Sequence, residues 1–303
     1  MKKIVGIGAC VMDTLITLPY YPKEDTKLKA ISVKSAGGGP VATGLVAARK
    51  LGCDASYIGT LSDDNGGKFL LSDFEKYGLD NSDITVQNGY RSFTATLFLS
   101  RESTSRTCAF DRGNLPPLVL NDSQKDSISQ AALLMVDGNE LDAAIEGARI
   151  AREKGVKVLY DAGGLYDGIE RLLPYTDILI PSEEFALAHT GKSDANAAAK
   201  ALYETYSPEV VVITQGKRGG ILYDGENVIS YPIYPAEVVD SNGSGDVFHG
   251  AFAFGTVMGY DYEKCCHFAS AVSALKCMGV GARESVPDFE TVRNYMKENG
   301  YEL

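Results

Sequence analysis

Val238-Val239-Asp240-Ser241-Asn242-Gly243-Ser244-Gly245-Asp246-Val247-Phe248-His249-Gly250-Ala251-Phe252 is the stretch around which the chain is organised. Val238 and Val239 close an extended apolar run. From Val247 onward, Val247, Phe248, Ala251, Phe252 and Phe254 recur at helical spacing, so the stretch reads as strand, tight loop, helix. The loop is then a helix N-terminus. Gly243 and Gly245 let main-chain N–H groups approach a ligand with no Cβ in the way. Unpaired amides at the positive end of a helix dipole form an anion site, and a phosphate fits there. Asp246 adds a carboxylate on the first helical turn beside that site. Taken alone, an acid at this position can also simply complement the dipole.

Length and composition set the limits around this loop. A chain of 303 residues suits one large α/β domain and buries roughly 75% of its extended surface. A net charge of −11 argues against nucleic acid or an anionic membrane as partner, because both need clustered Lys and Arg. Cys10, Cys53, Cys108, Cys265, Cys266 and Cys277 contain no C-x-x-C pair, which leaves reduced, mostly buried thiols rather than zinc or disulfides. The basic start is followed by an apolar run that glycines interrupt and Asp13 ends, so it is not read as a signal peptide. No segment is long enough to span a bilayer, and a cytoplasmic protein is expected.

Residues 4–8 read as a short apolar strand of the kind buried on both faces of a parallel sheet. Residues 133–136, 156–160, 178–180 and 210–213 read likewise, with helices expected over 143–154, 195–206 and 264–276. This alternation argues for a parallel sheet covered by helices on both faces. A hairpin with an Asp224-Gly225 turn leads back through Val238-Val239 to the main loop. Two stretches break the pattern. Residues 15–35 have strand propensity and a turn at 21–25. In residues 90–110, Phe93, Ala95, Leu97 and Leu99 alternate with Thr94, Thr96, Phe98 and Ser100 before a polar turn at 101–105. A small separate sheet follows from these two insertions.

Ala36-Gly37-Gly38-Gly39-Pro40 is a triple-glycine loop ahead of a helix over 40–51, with Pro40 at a first helical position and Gly52 as C-cap. Residues 63–67 read as a turn before a helix over 68–77. Thr214-Gln215-Gly216-Lys217-Arg218-Gly219-Gly220 follows a buried strand directly, at the sheet edge where α/β proteins bind ligands. Gly191-Lys192-Ser193 ends like a Walker A motif, but Ala186 fills the required earlier glycine position, so it reads as a helix C-terminus.

Asp240-x-x-Gly-x-Gly-Asp-x-Phe with its small-residue helix, preceded far upstream by the Gly38-Gly39 pair, resembles the two signatures of the pfkB carbohydrate kinases, the ribokinase-like family. The resemblance covers nearly the whole chain. It implies an α/β three-layer sandwich over residues 1–303, with a mainly parallel central sheet and a small β-sheet lid inserted at about 14–36 and 90–112. It implies ATP-dependent phosphorylation of a hydroxyl, a hydroxymethyl in our reading, on a small sugar or sugar derivative. Asp246 would be the general base, and the amides of Gly243, Ser244 and Gly245 the anion hole. Asp13, Gly38, Gly39 and Thr43 would hold the sugar, with Thr43 standing where the family has a sugar-contacting Asn. A hydroxyl there lacks the amide's two donors. Thr214, Gly216 and Gly219, with Cys277 and Gly279 in the later loop, would contact the nucleotide.

The same resemblance implies Mg2+, and a monovalent cation such as K+ held near Asp240 with backbone oxygens of Gly281 and Ser285. The family's Asn-x-x-Glu run falls on Ser182 and Phe185 here. Glu183 or Glu184 then either replaces that acid toward the metal or merely occupies a helix's first turn. Within the family the pattern is most similar to the sulfofructose-kinase-like branch, which implies an anionic substrate and cationic groups at the lid, with Lys27, Arg91, Arg106 and Arg112 as candidates. An unmodified sugar, a nucleoside, or a non-catalytic nucleotide- or sugar-binding role stays open. Homodimerisation through the lid is a further implication. His189, His249 and His267 read as structural or exposed.

Overall fold

The apolar runs become strands whose side chains alternate between two helical layers. The computed structural model describes residues 2–103 and 105–303, so residue 104, within the expected turn at 101–105, lies outside the described residues. The first half contains β1 (Lys3–Ile7), β2 (Val11–Leu18), β3 (Ser32–Gly38), α1 (Pro40–Leu51), β4 (Asp54–Ser62), α2 (Asn65–Tyr77), β5 (Ile84–Gln87), β6 (Thr94–Ser100), β7 (Ser105–Asp111) and α3 (Asp122–Ser129). There follow β8 (Leu133–Val136), α4 (Leu141–Glu153), β9 (Lys157–Ala162), β10 (Ile178–Pro181), α5 (Glu183–Thr190), α6 (Ala195–Tyr206) and β11 (Val210–Thr214). The chain closes with β12 (Gly220–Tyr223), β13 (Val228–Tyr231), α7 (Ser244–Met258), α8 (Tyr262–Cys277) and α9 (Phe289–Glu298).

Among the described residues, nine strands form the main sheet in the order β13-β12-β11-β10-β9-β8-β1-β4-β5. It is parallel from β11 to β5, and β12 and β13 add an antiparallel edge. Leu133 and Met135 of β8 enter the layer of α1, α2, α7, α8 and α9, while Leu134 and Val136 enter the layer of α3 to α6. That alternation on a strand buried on both sides makes the three-layer α/β/α arrangement. A second sheet, ordered β3-β2-β6-β7, stands beside the first. Its β2–β3 and β6–β7 pairs are antiparallel and its central β2–β6 pair is parallel.

Several expectations need correction. Val238 and Val239 are not in a strand; they are 56% and 60% exposed, and the amides of Val239 and Asp240 bond to the Cys277 carbonyl. The strand ends at Tyr231 because Pro232 and Pro235 remove ladder donors and restrict the residues before them. The triple glycine is not a free loop, since Gly37 and Gly38 pair with Met12 and Val11 and only Gly39 lies outside β3. α2 starts at Asn65 instead of 68, because the Asp64 side chain accepts the Gly67 amide and caps it. α3, α9 and β5 had no counterpart in the sequence reading. Gly191, by contrast, is a left-handed helix C-cap, as expected for a chance match to a phosphate loop.

Candidate active site

The carboxyl ends of β8, β9, β10 and β11 meet the N-terminus of α7 around a cavity of about 320 Å³, lined by Asp137, Asp161, Ser182, Thr214, Gly243, Gly245, Asp246 and Arg106. Open α/β sheets place ligands there, where the strand order reverses. The reversal lies between β1 and β8. Asp137 bridges it: one carboxylate oxygen accepts the amides of Ala9 (2.9 Å) and Val41 (3.1 Å), the other accepts Asn139 N (3.0 Å) and Nδ2 (3.1 Å). Burial pushes this carboxyl up, and those four donors pull it back. A larger open groove of about 680 Å³ lies at the opposite edge of the sheet. Its Lys157, Glu209 and Tyr262 are satisfied by one another.

α7 approaches α1 closely, since a Cβ on Gly250 would overlap the Gly44 carbonyl. The two helix N-termini therefore point at the cavity together. Gly243 caps α7 with a left-handed backbone (φ 73). The Ser244 amide is spent on the Ser241 carbonyl, 3.2 Å. Among the described residues the amides of Gly243, Gly245 and Asp246 have no backbone acceptor outside their helix. Of the amides expected to form an anion hole, Gly243 and Gly245 keep free N–H groups, Ser244 does not, and Asp246 adds a third free one. Burial raises the Asp246 carboxyl, Arg106, Lys276 and Arg283 lower it, and Asp137 raises it further. The result is a half-buried carboxyl beside a set of free amides.

His249, one turn later, has its ring nitrogens 2.6 Å from the Gly245 carbonyl and 3.0 Å from that of Ile180, and as a neutral imidazole it donates to one of the two. Burial lowers it to about 4, as suits a structural histidine. Asp161 Oδ2 lies 3.1 Å from His249 Nδ1, which is aligned on Gly245, and takes no hydrogen bond.

Asp13 is buried on β2 against Gly38, where a Cβ would overlap its carboxylate. Burial raises it to about 7, with Arg283 opposing and Asp246 adding to the shift. Thr43 does not reach the cavity: it is fully buried, and its hydroxyl faces Arg283 Nε at 3.4 Å. Gly39 precedes α1 beside Ala9 and Cys10. Lys27 lies in the β2–β3 turn, beyond the Thr17–Ser32 pair, which is four residues, roughly 13 Å, along the strand from Asp13. It is not brought to the site. Arg91 is paired with Asp111 at 2.7 Å on the surface.

β7 presents Arg106, Cys108 and Phe110 opposite Leu99, Leu97 and Ala95, on the face that covers the cavity. Arg106 Nη1 donates to the Ser241 carbonyl (3.4 Å), linking the second sheet to the anion loop. Arg112 stacks over Phe93 and Tyr166, 5.5 and 5.8 Å from the ring centroids.

On the other side, Thr214 lines the cavity, and Gly216 lies in the exposed turn after β11. Gly219 is buried beneath the Tyr231 carbonyl, where it serves the β12 hairpin. Cys277 is buried and Gly279 packs on Ser285. Asp240 accepts the amides of Asn242 (2.8 Å) and Gly281 (2.9 Å), and Ser285 Oγ donates to the Gly281 carbonyl. Glu183 binds Gln215 Nε2 (2.7 Å) and Arg218, and Glu184 is exposed, so neither lines the cavity. Ser182 caps α5, and Phe185, at the position of the family's Glu, is a core residue.

The sequence reading missed Asp137, Asp161, Lys276 and Arg283, and left Arg106 as one cation among several. Asp137 and Asp161 did carry a signal, since each is a lone acid at the end of an apolar strand. Lys276 and Arg283 carried none. Among the described residues no cluster of three or more His, Cys, Asp or Glu could hold a metal by itself, and no helix is long and apolar enough to cross a membrane.

The family model for the pfkB carbohydrate kinases matches residues 1–288. The chain is 26% identical over 309 residues to a bifunctional ribokinase/ribose-5-phosphate isomerase A of Fructilactobacillus sanfranciscensis, covering 99% of this chain and only 57% of that relative. It is 27% identical over 320 residues to a 5-dehydro-2-deoxygluconokinase of Clostridium perfringens, covering 97% and 93% of the two chains. Arabidopsis thaliana ribokinase, solved with ribose and ATP, superposes with a TM-score of 0.87 at 25% identity over 98% of this chain and 99% of that one. The fold is therefore the ribokinase fold.

Proposed function

The chain belongs to the pfkB family of carbohydrate kinases, and from that premise we propose that it transfers the γ-phosphoryl group of ATP to a hydroxymethyl of a small sugar derivative. The observation that carries this reading is Asp246, a carboxyl raised by burial on the first turn of α7, lining the cavity beside amides with no acceptor. Asp246 takes the proton of the attacking hydroxyl, and its raised pKa brings it nearer the range of an efficient base at neutral pH. The amides of Gly243, Gly245 and Asp246, with the Arg106 guanidinium, oppose charge on the transferred group, which is the larger part of phosphoryl-transfer catalysis. Thr214 and Gly216 on one side and Cys277 and Gly279 on the other flank the space for the nucleotide.

Asp137 and Asp161 are the carboxyl groups on the cavity lining, besides Asp246, that stand toward Mg2+. When bound, it would neutralise phosphate charge. Asp240 and the Gly281 carbonyl are the groups toward a monovalent cation. The second sheet acts as a lid, and its outer residues Ile31 and Val33, 46% and 61% exposed, are where a second copy would pair. A monomer by light scattering at working concentration would remove the dimer.

For the substrate we favour a sugar bearing an oxyanion. Arg112 is held by ring faces, and among the described residues no ion pair occupies its N–H edge. A relative named for a gluconate derivative is in keeping with that choice. The deciding assay is magnesium-dependent ADP release by the wild type and Asp246→Asn across neutral sugars, sugar acids, sulfosugars, sugar phosphates and nucleosides. Turnover of one class that the variant loses supports the reading. ATP binding with no stimulated release would leave a binding protein, and near-normal turnover by a folded Asp246→Asn would remove Asp246 as the base.

A further inference from the structure

Among the described residues Arg283 is the largest fully buried side chain, 1% exposed, in the loop after α8. Guanidinium groups avoid burial unless paired and hydrogen-bonded. Arg283 is held on three sides: Nη1 meets Asp73 Oδ2 of α2 at 2.5 Å, Nη2 donates to the Gly38 carbonyl at 2.6 Å, and Nε faces Thr43 Oγ1 at 3.4 Å. Its plane lies over the Phe74 ring, 5.3 Å from the centroid. The loop that carries it is fixed to α1 by Lys50, whose Nζ donates to the Arg283 and Glu284 carbonyls at 3.2 and 2.9 Å. Burial accounts for the three contacts as such, and what they reach is the point of interest. Two of the three contacts go to residues expected in the sugar site, and Gly38 touches the Asp13 carboxylate directly.

We propose that Arg283 is a positioning residue of the sugar site: anchored by Asp73, it fixes the Gly38 carbonyl and so sets its positive charge beside the Asp13 carboxylate that packs on Gly38. It works from beneath the floor, in the space that the short Thr43 side chain leaves. Its meaning for sugar binding rests on the kinase reading above, whereas the Arg283–Asp13 coupling does not. The charged and titratable groups facing Asp13 are Arg283, Asp246 and the thiols of Cys10 and Cys108. Burial carries Asp13 up to about 7, and Arg283 is the group that opposes it. Removing Arg283 therefore raises the Asp13 midpoint further, so that the carboxyl is protonated at neutral pH and accepts sugar hydroxyls poorly.

The test is a 13C NMR titration of the full chain labelled at aspartate carboxyls, with the Asp13 resonance assigned through Asp13→Asn. Two variants should move it in opposite directions. Arg283→Gln with Asp73→Asn, which leaves neither charge buried alone, should raise the midpoint by about one unit or more. Asp73→Asn by itself frees Arg283 from its partner and should lower the midpoint. An Asp13 midpoint that stays put in either folded variant overturns the proposal, and Asp73→Asn decides if the double variant does not fold. In ADP-release assays at pH 7 with D-ribose and D-fructose, the double variant should raise KM about tenfold with kcat within about threefold. If the wild type turns over no member of the full panel of neutral sugars, sugar acids, sulfosugars, sugar phosphates and nucleosides, the kinase reading fails while the titration still decides the coupling.

Discussion

The loop at residues 240–249, proposed for the phosphate, and the buried cluster around Asp13, proposed for the sugar, are assembled differently. The phosphate side is nearly contiguous: Asp240, Gly243, Gly245, Asp246 and His249 lie within ten residues, and helix geometry alone sets amides and carboxylate side by side. The sugar side is a convergence. Asp13 comes from β2, Gly38 from β3, Asp73 from α2 and Arg283 from the loop after α8, joined by buried hydrogen bonds spanning 210 and 245 residues of sequence. A contiguous site is specified by local backbone preferences, which neighbouring residues encode. A convergent site depends on the register of several distant elements and on buried charges that must all be paired at once.

The strongest test of that contrast is on the phosphate side. Asp246→Asn should lower kcat by about 10²–10⁴, the usual worth of a general base, with the melting curve unchanged, because a first-turn residue of α7 holds no distant element. A matched loss of stability would mean that the phosphate side is as interlocked as the sugar side. A smaller effect separates two glycines of the same helix. A Cβ at Gly250 meets the Gly44 backbone, so Gly250→Ala should destabilise by about 1–3 kcal/mol, as overpacking does; at Gly245 nothing lies within 4 Å. Gly245→Ala should leave urea unfolding in place while weakening ATP turnover, because its methyl enters the cavity. Equal unfolding midpoints for the two variants would refute the close α1–α7 contact. The smallest effect is at the rim: Arg112→Gln should raise KM for an oxyanion-bearing sugar by about tenfold, worth one charge-assisted bond, and leave a neutral sugar unaffected. A uniform change in both would assign Arg112 to packing on Phe93 and Tyr166.

How much was legible follows the same division. The alternation of buried strands and amphipathic helices made the three-layer architecture readable, because each apolar run reports its own burial. α1 could be read to the residue at both ends, since Pro40 and Gly52 are local signals. The strand at Val238-Val239 could not, because apolar character was taken for pairing where prolines had already ended the hairpin. Glu183 and Glu184 were plausible acids at a helix start, yet Arg218 and Gln215 claim the first and solvent the second. Five of the six cysteines are buried as expected, and Cys108 is exposed on the face of β7 that covers the cavity. That placement follows from the β6–β7 register, which one strand cannot announce.

The sequence by itself determined the fold class, the helix N-terminus at Gly243 to Asp246 and the acid beside it, because periodicity, capping and glycine conformation act over a few residues. Only the tertiary structure decided that Thr43 is buried rather than offered to a ligand, that Asp137 and Asp161 line the cavity, and that Arg283 lies against the Gly38 carbonyl. The physical reason is the cost of burying charge: Arg283 is stable in the interior only where Asp73, the Gly38 carbonyl and Thr43 arrive together, and their arrival is a property of the packed sheets and helices.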